Sequence, residues 1–416
     1  MSRPELSEVC EEIVDCLHET APTQKEGIPS IRTSDIENGR LDLKTADRVS
    51  EEVYQKWTQR SEPQPGDIIL AREAPVGEVG IVPEGSRVCL GQRTVQLRPD
   101  RSKVEPRYLL FLLLDQEMQN RMESMAAGST VAHLNLSDIR EMELPELPPL
   151  PVQRRIADIL GALDDKIEVN RRMNETLEEM AQTLYRHWFV DFGPFQDREF
   201  TDTEELGPFP EGWTVGELGD YCIVNRQTVD KDNPPDPIEY IKISGVNEGR
   251  VEETETIPWE DSPTRANRRV QDGDIVWSKV RPNREGYFLC LQPPENLVVS
   301  TGFATITPRE VPFTWVYLAL TTDDFVDYLT ARATGAAYPS VRLDAFRNAE
   351  MVVPDREALE AFHEKVEPLF RMQSSSVREN QTLAETRDYL LPKLISGELE
   401  IEGAEEIVDD TVGSRA

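Results

Sequence analysis

At 416 residues, of which 38% are hydrophobic, the chain has material for about two or three packed domains. No apolar run reaches the length of a membrane span, the longest being residues 108–114, and the opening Met1-Ser2-Arg3-Pro4-Glu5 lacks the apolar core of a signal peptide. The five cysteines (Cys10, Cys16, Cys89, Cys222, Cys290) form no CxxC pair, which fits a reducing cytoplasm better than a disulfide framework or a zinc site.

Charge is the awkward quantity: 78 acidic against 45 basic residues give a net charge of −33. Either the chain does not touch nucleic acid, or it works in high salt, where acidic surfaces keep proteins hydrated. The even spread of Asp and Glu over nearly every segment favours the second, a halophile's protein.

In chain order, Gly66-Asp67 predicts a turn into a buried strand at Ile68-Ile69-Leu70. From Pro151 the apolar positions Ile156, Ile159, Leu160, Leu163, Ile167, Met173, Leu177, Met180 and Leu184 step as one helical stripe of the coiled-coil kind. Pro151 suits a first helical turn, Gly193-Pro194 stops the segment, and the helix should be roughly 50 Å long. Gly273-Asp274 predicts a second turn into a strand. A second stripe follows at Leu359, Phe362, Val366, Leu369, Val377, Leu383, Leu390 and Leu391, ending near Pro392 and Gly397. Pro368 interrupts it, so a kink or a restarted helix is expected there. Residues 398–410 are separately acidic and are expected to fray.

The chain also repeats itself. Gly66-Asp67-Ile68-Ile69-Leu70 returns as Gly273-Asp274-Ile275-Val276-Trp277, 207 positions later, followed in each copy by a small residue and a base (Ala71-Arg72, Ser278-Lys279). At the same offset Pro106-Arg107-Tyr108 faces residues 312–317, and residues 128–131 face 335–338. The block ending Asn38-Gly39-Arg40 faces the one ending Glu248-Gly249-Arg250 at offset 210, and Asn174-Glu175-Thr176-Leu177 faces Asn380-Gln381-Thr382-Leu383 at 206. Blocks in one order at nearly one offset mark a tandem duplication, too long for a solenoid repeat. Each copy reads as a mixed globular region followed by a long helix. The helices most simply pack on each other, antiparallel, through Ile156, Leu160, Leu163, Ile167, Leu177, Leu184, Phe362, Val366, Leu369, Leu383 and Leu390, and hold the globular units apart.

Residues 147–160, Leu-Pro-Pro-Leu-Pro-Val-Gln-Arg-Arg-Ile-Ala-Asp-Ile-Leu, then Leu163-Asp164-Asp165-Lys166-Ile167 and Trp188-Phe189-Val190-Asp191-Phe192, resemble the central region of the specificity subunits of type I restriction–modification systems. Pro210-Glu211-Gly212-Trp213 resembles the opening of that family's target-recognition domain, and Leu391-Pro392-Lys393-Leu394-Ile395-Ser396-Gly397 its C-terminal end. The first copy lacks the Pro-x-Gly-Trp opening. The resemblance implies an α/β (α+β) fold: two tandem target-recognition domains, separated by two long antiparallel coiled-coil helices with pseudo-two-fold symmetry. The corresponding boundaries are 1–147, 148–193 for the central helix, 205–353, 354–399 for its partner helix, and 400–416 for an acidic tail. It further implies that each domain reads one half of a bipartite, asymmetric site on double-stranded DNA. The helices would dock two methyltransferase (modification) subunits, joined by restriction/translocase subunits. This chain would bind no cofactor; S-adenosylmethionine, ATP and Mg belong to the partners.

Reading base edges requires Arg, Lys, Asn, Gln or hydroxyl donors on presented loops. In the second copy Arg265, Arg268, Arg269, Lys279, Arg281, Asn283 and Arg284 form a basic island in an acidic chain. In the first, Arg72, Gln92, Arg93 and Arg98 correspond. A third pair of loops holds Ser129, Thr130 and His133 in one copy and Tyr338, Ser340 and Arg342 in the other, where small residues permit close backbone approach.

Catalytic signatures are missing. Asp232-Asn233-Pro234-Pro235-Asp236 resembles an amino-methyltransferase motif, but Asp236 stands where the base-stacking aromatic belongs. There is no GxGxxG, no GxxxxGK[ST] and no HExxH, and the four histidines lie far apart, so no metal site is expected. A non-catalytic DNA-recognition subunit is therefore expected. The alternative is a scaffold, or a degenerate relative, that assembles partners without reading DNA. If the duplication is modular, exchanging residues 1–145 for the first recognition domain of another family member should change one half of the target; a change in both halves would refute modularity.

Overall fold

The computed structural model describes residues 3–126, 132–203 and 206–413. The chain forms two compact units that interleave in sequence: residues 1–169 with 379–416, and residues 170–378.

In the first unit, strands Cys10–Asp15, Thr94–Pro99, Ile68–Ala71 and Val79–Ile81 form an antiparallel sheet in that spatial order. Ile68–Ala71 is buried along its length, and Gly66 before it has φ +92°, the left-handed conformation the turn needs. A second sheet sets Ile28–Ile31 between Arg48–Val49 (antiparallel) and Cys89–Leu90 (parallel). A hairpin, Ile36–Glu37 with Arg40–Leu41, turns on Asn38 (φ 49°) and Gly39 (φ 84°), the residue pair that a tight hairpin turn favours. Helices Pro106–Leu114, Gln116–Ala126 and Leu136–Arg140 close the layer.

The second unit repeats this order. Cys222–Val224, Phe303–Pro308, Asp274–Ser278 and Tyr287–Cys290 form the antiparallel sheet, with Gly273 at φ +82°. Ile238–Ile241 lies between Glu255–Ile257 (antiparallel) and Leu297–Ser300 (parallel), and the hairpin recurs at Val246–Asn247 with Arg250–Val251. Helices Phe313–Ala319, Asp323–Arg332 and Leu343–Arg347 come next. Among the elements added is strand Ala266–Arg269, paired with the far side of Leu297–Ser300. No counterpart stands at that edge in the first unit among the described residues.

The long helices run Leu150–Phe189 and Arg356–Ser396. Each contributes to both units. In the first unit Ile156, Leu160, Leu163 and Ile167 share one apolar core with Leu383, Leu390, Leu391 and Leu394 and with the helix Pro106–Leu114. The direction there is antiparallel: Asp164 pairs with Arg387 (2.8 Å), Lys166 with Glu379 (3.4 Å), and Asn380 donates to the Ile167 carbonyl. In the second unit Leu184, Tyr185, Trp188 and Phe189 meet Phe362, Val366, Leu369 and Phe370. Phe189 lies edge-on to Phe362 at 4.8 Å, and Trp213 closes against Phe189 and Phe192. Each hairpin also reaches the central helix. Arg40 pairs with Glu168 (3.2 Å) in the first unit. In the second, Arg250 lies near Glu178, a carboxyl that burial pushes above its ordinary range.

Three expectations need correction. Pro368 does not restart the helix, which is one run; Phe362, Val366 and Phe370 are buried on either side, and this packing offsets the roughly 3 kcal/mol that an interior proline costs. The acidic end does not fray: it forms a helix, Ile401–Gly413, with Ala404 fully buried. Ile401, Ile407 and Val408 pack on the first unit's core, and Arg155 clamps Glu402 (2.9 Å) and Glu405 (3.0 Å). Met180 and Val377, assigned to the apolar stripes, are exposed. The positions named for helix pairing, from Ile156 to Leu390, are buried or half-buried within the chain's own units.

Equivalent positions in the two sheets differ instructively. Buried Asp67 accepts from Gln64 N (2.8 Å), Gln96 (2.7 Å) and Arg98 (2.9 Å). Asp274, at the matching place, accepts from Gln271 N (3.0 Å) and the Thr307 hydroxyl (2.7 Å), with no cation bonded to it among the described residues. Burial pushes its carboxyl up to about 6. The folded state therefore binds the proton more tightly than the unfolded chain, and this contribution to stability is lost as pH rises from about 4 through 6. Asp274→Asn should gain stability relative to wild type across that window, by up to about 2 kcal/mol, in urea midpoints measured against pH; a pH-independent difference would refute the assignment. Arg387→Ala should strand the buried Asp164 carboxylate at a cost of about 3 kcal/mol. Faster hydrogen exchange over residues 379–396 would report this, partly reversed by adding Asp164→Asn.

Candidate nucleic-acid interface

The added strand of the second unit carries Arg268 past a bulge between Ala266 and Arg268. The Arg268 Nε is buried and has no hydrogen-bond partner. The fully buried strand Asp274–Ser278 ends at Lys279, whose N–H donates to Gly302 O (2.9 Å). Burial lowers the pKa of both side chains, and the charge on Arg268 lowers that of Lys279 further. Two partly desolvated cations thus stand close enough to repel each other.

The loop after Lys279 is pinned to a segment far along the chain. Val341 N–H donates to Lys279 O (2.8 Å), Arg281 N–H to Pro339 O (2.7 Å), and Val280 bridges Ser340. Ser340 and Thr334 exchange backbone hydrogen bonds of 2.9 and 3.0 Å. Arg281 has φ 51°, donates from Nη2 to Ala337 O (3.1 Å), and sets its guanidinium over the Tyr338 ring at 4.7 Å. Tyr338 is 71% exposed. Asn283 and Arg284 are exposed on the turn Pro282–Arg284, and Arg342 is exposed at the start of Leu343–Arg347. Arg332, which no sequence pattern marked, lines a surface cleft with Arg342 and lies 3.7 Å over the Tyr328 ring.

Among the described residues, none of Arg268, Lys279, Arg281, Arg284, Arg332 and Arg342 forms an ion pair with a carboxylate. Arg269 instead donates to Glu295 O, so it braces the loop that precedes strand Leu297–Ser300, and Arg265 is exposed nearby.

The first unit has the same loop exchange. Arg72 comes directly after strand Ile68–Ala71, its carbonyl accepts from Leu134 N–H (3.1 Å), and its Nε donates to Leu134 O (2.7 Å). Arg93, at φ 67°, pairs with Glu73 (3.2 Å); Gln92 donates to Thr20 Oγ1 (3.0 Å); His133 meets Asn135 Oδ1 at 3.1 Å. Arg98 is a correction: it binds Asp67, Glu12 (2.9 Å) and Glu62 O (2.7 Å), so it holds the sheet together. Ser129 and Thr130 lie outside the described residues. No helix among the described residues is long and apolar enough to cross a membrane.

Residues 5–179 match the family described as Type I restriction modification DNA specificity domain. The chain is 26% identical over 386 residues to the type I restriction enzyme MjaIX specificity subunit of Methanocaldococcus jannaschii, covering 90% of this chain and 87% of that one. It is 24% identical over 375 residues to the HindI specificity subunit of Haemophilus influenzae, covering 73% and 79%. In fold it is similar to the crystal structure of a type I restriction–modification S subunit from M. genitalium, with a TM-score of 0.60 at 15% identity over 94% of this chain and 95% of that one. The family match thus covers the first copy and the head of the central helix, and over most of its length the chain is similar to the specificity subunits of type I restriction–modification systems.

Proposed function

We propose that each globular unit reads one half of a bipartite, asymmetric site on double-stranded DNA, and that the chain does so in complex with methyltransferase subunits and restriction/translocase subunits in the cytoplasm. S-adenosylmethionine, ATP and Mg are then the partners' cofactors. The observation that carries this reading is the same loop pair in both units, Arg72 with Leu134 and Lys279 with Val341, set in two different sequences. Equivalent loops with different side chains suit two different half-sites.

The net charge of −33 supports operation at high salt, in a halophile. There counterion release adds little to affinity, so hydrogen bonds to base edges carry more of it. The same charge favours the second reading, a scaffold that assembles subunits without reading bases. Co-expression with its modification subunit in a methylation-free host, followed by mapping of modified adenines, separates the two. A bipartite asymmetric motif that disappears without this chain is the expected result. A stable complex at high salt that methylates no motif would favour the scaffold.

A further inference from the structure

We propose that Arg281 reads a guanine in the half-site of the second unit, with its guanidinium held in place by Tyr338, while Arg268 and Lys279 grip the neighbouring DNA backbone. This assignment rests on the reading of the chain as a DNA-site reader.

A base-reading arginine gains most when its fork is fixed before contact, because a loose side chain loses its freedom on binding. Arg281 is fixed in four ways. Its backbone occupies the left-handed region at φ 51°, which an arginine adopts only where its surroundings impose it. Its N–H is tied to Pro339 O, its Nη2 to Ala337 O, and its guanidinium plane to the Tyr338 ring. Nη2 is the only side-chain nitrogen so engaged among the described residues, which leaves the other guanidinium donors for a ligand. Tyr338, at 71% exposed, brings this pair to the surface instead of burying it. Two parallel donors match the O6 and N7 acceptors of guanine in the major groove, the pairing that arginine makes most often with a base.

Arg268 and Lys279 have different chemistry. An ammonium is a point charge without a fork, and the Arg268 Nε is turned into the protein without an acceptor. Two partly buried cations in repulsion, in a chain of net charge −33 yet without a carboxylate between them, are relieved by an anion that both can hold. Phosphate of the DNA backbone supplies it, and such contacts position the protein without carrying sequence.

The test uses the chain in complex with its modification subunit. Wild type first defines the motif. Duplexes carrying 7-deazaguanine at each guanine in turn then probe N7 contacts on the unmodified protein. One guanine, in one half-site, should lose about tenfold in binding on substitution. Arg281→Ala and the charge-keeping Arg281→Lys should be insensitive to that substitution and should relax methylation at that position alone. Lys279→Ala should leave the motif intact, weaken binding at every site, and lower the slope of log affinity against log salt by about 1. If wild type shows a motif but no guanine of either half responds to 7-deaza substitution, the assignment of Arg281 is wrong while the DNA-reading function stands. If wild type shows no motif, the function itself fails. Relaxation of both halves by Arg281→Lys would also overturn the assignment.

Discussion

Neither globular unit completes its core from one stretch of chain. The first unit buries residues from its N-terminal sheet and helices against the first half of the central helix, the second half of the C-terminal long helix, and the tail helix. The second buries its own sheet against the remaining halves. Apolar burial at roughly 25 cal/mol per Å2 is the largest favourable term available to a chain of this size, and here it is collected only when both helices lie antiparallel in the shared core. The hairpin contacts of Arg40 and Arg250 and the clamp of Arg155 on the tail helix depend on that arrangement.

This dependence separates the parts that are free to vary from those that are not. Buried strands such as Ile68–Ala71 and Asp274–Ser278 deliver Arg72 and Lys279 to the same place on the two copies. Beyond its last residue each strand gives way to loop, and loops on a rigid scaffold tolerate change while carrying function. The added edge strand Ala266–Arg269 shows the latitude: it joins the second unit's sheet by backbone pairing and the burial of Ala266, and with it comes the Arg268 side chain. The sheets tolerate substitution at buried polar positions too, provided that the hydrogen bonds are made. Asp67 has an arginine partner where Asp274 has a threonine.

The acidic surface also frames the interface. Most surface ion pairs are worth little individually, and in a chain with 78 carboxylates they engage arginines such as Arg87, Arg155 and Arg371. Around the loops 279–284 and 332–342, Lys279, Arg281, Arg284, Arg332 and Arg342 lie together without a carboxylate partner among the described residues. Arg98, equally basic in the sequence, is consumed by Asp67 and Glu12 and belongs to the fold.

The duplication, the two turn-and-strand pairs at Gly66 and Gly273 and the two long helices were legible in the sequence, because these rest on local spacing: a glycine where the backbone must turn left-handed, and apolar residues recurring at helical intervals. The hairpin at Asn38-Gly39 was legible in the same way, although only the block around it was marked. The apolar steps from Ile401 through Ala404 to Ile407 were legible too, beneath an acidic composition that pointed to fraying. Which cations are left without a carboxylate was settled by the fold, since a carboxylate that neutralises an arginine stands 31 positions away for Arg98 and a ring that orients one stands 57 positions away for Arg281. Contacts at such separations leave no periodic trace, and it is folding that determines whether a charge is spent inside the protein or kept for a ligand.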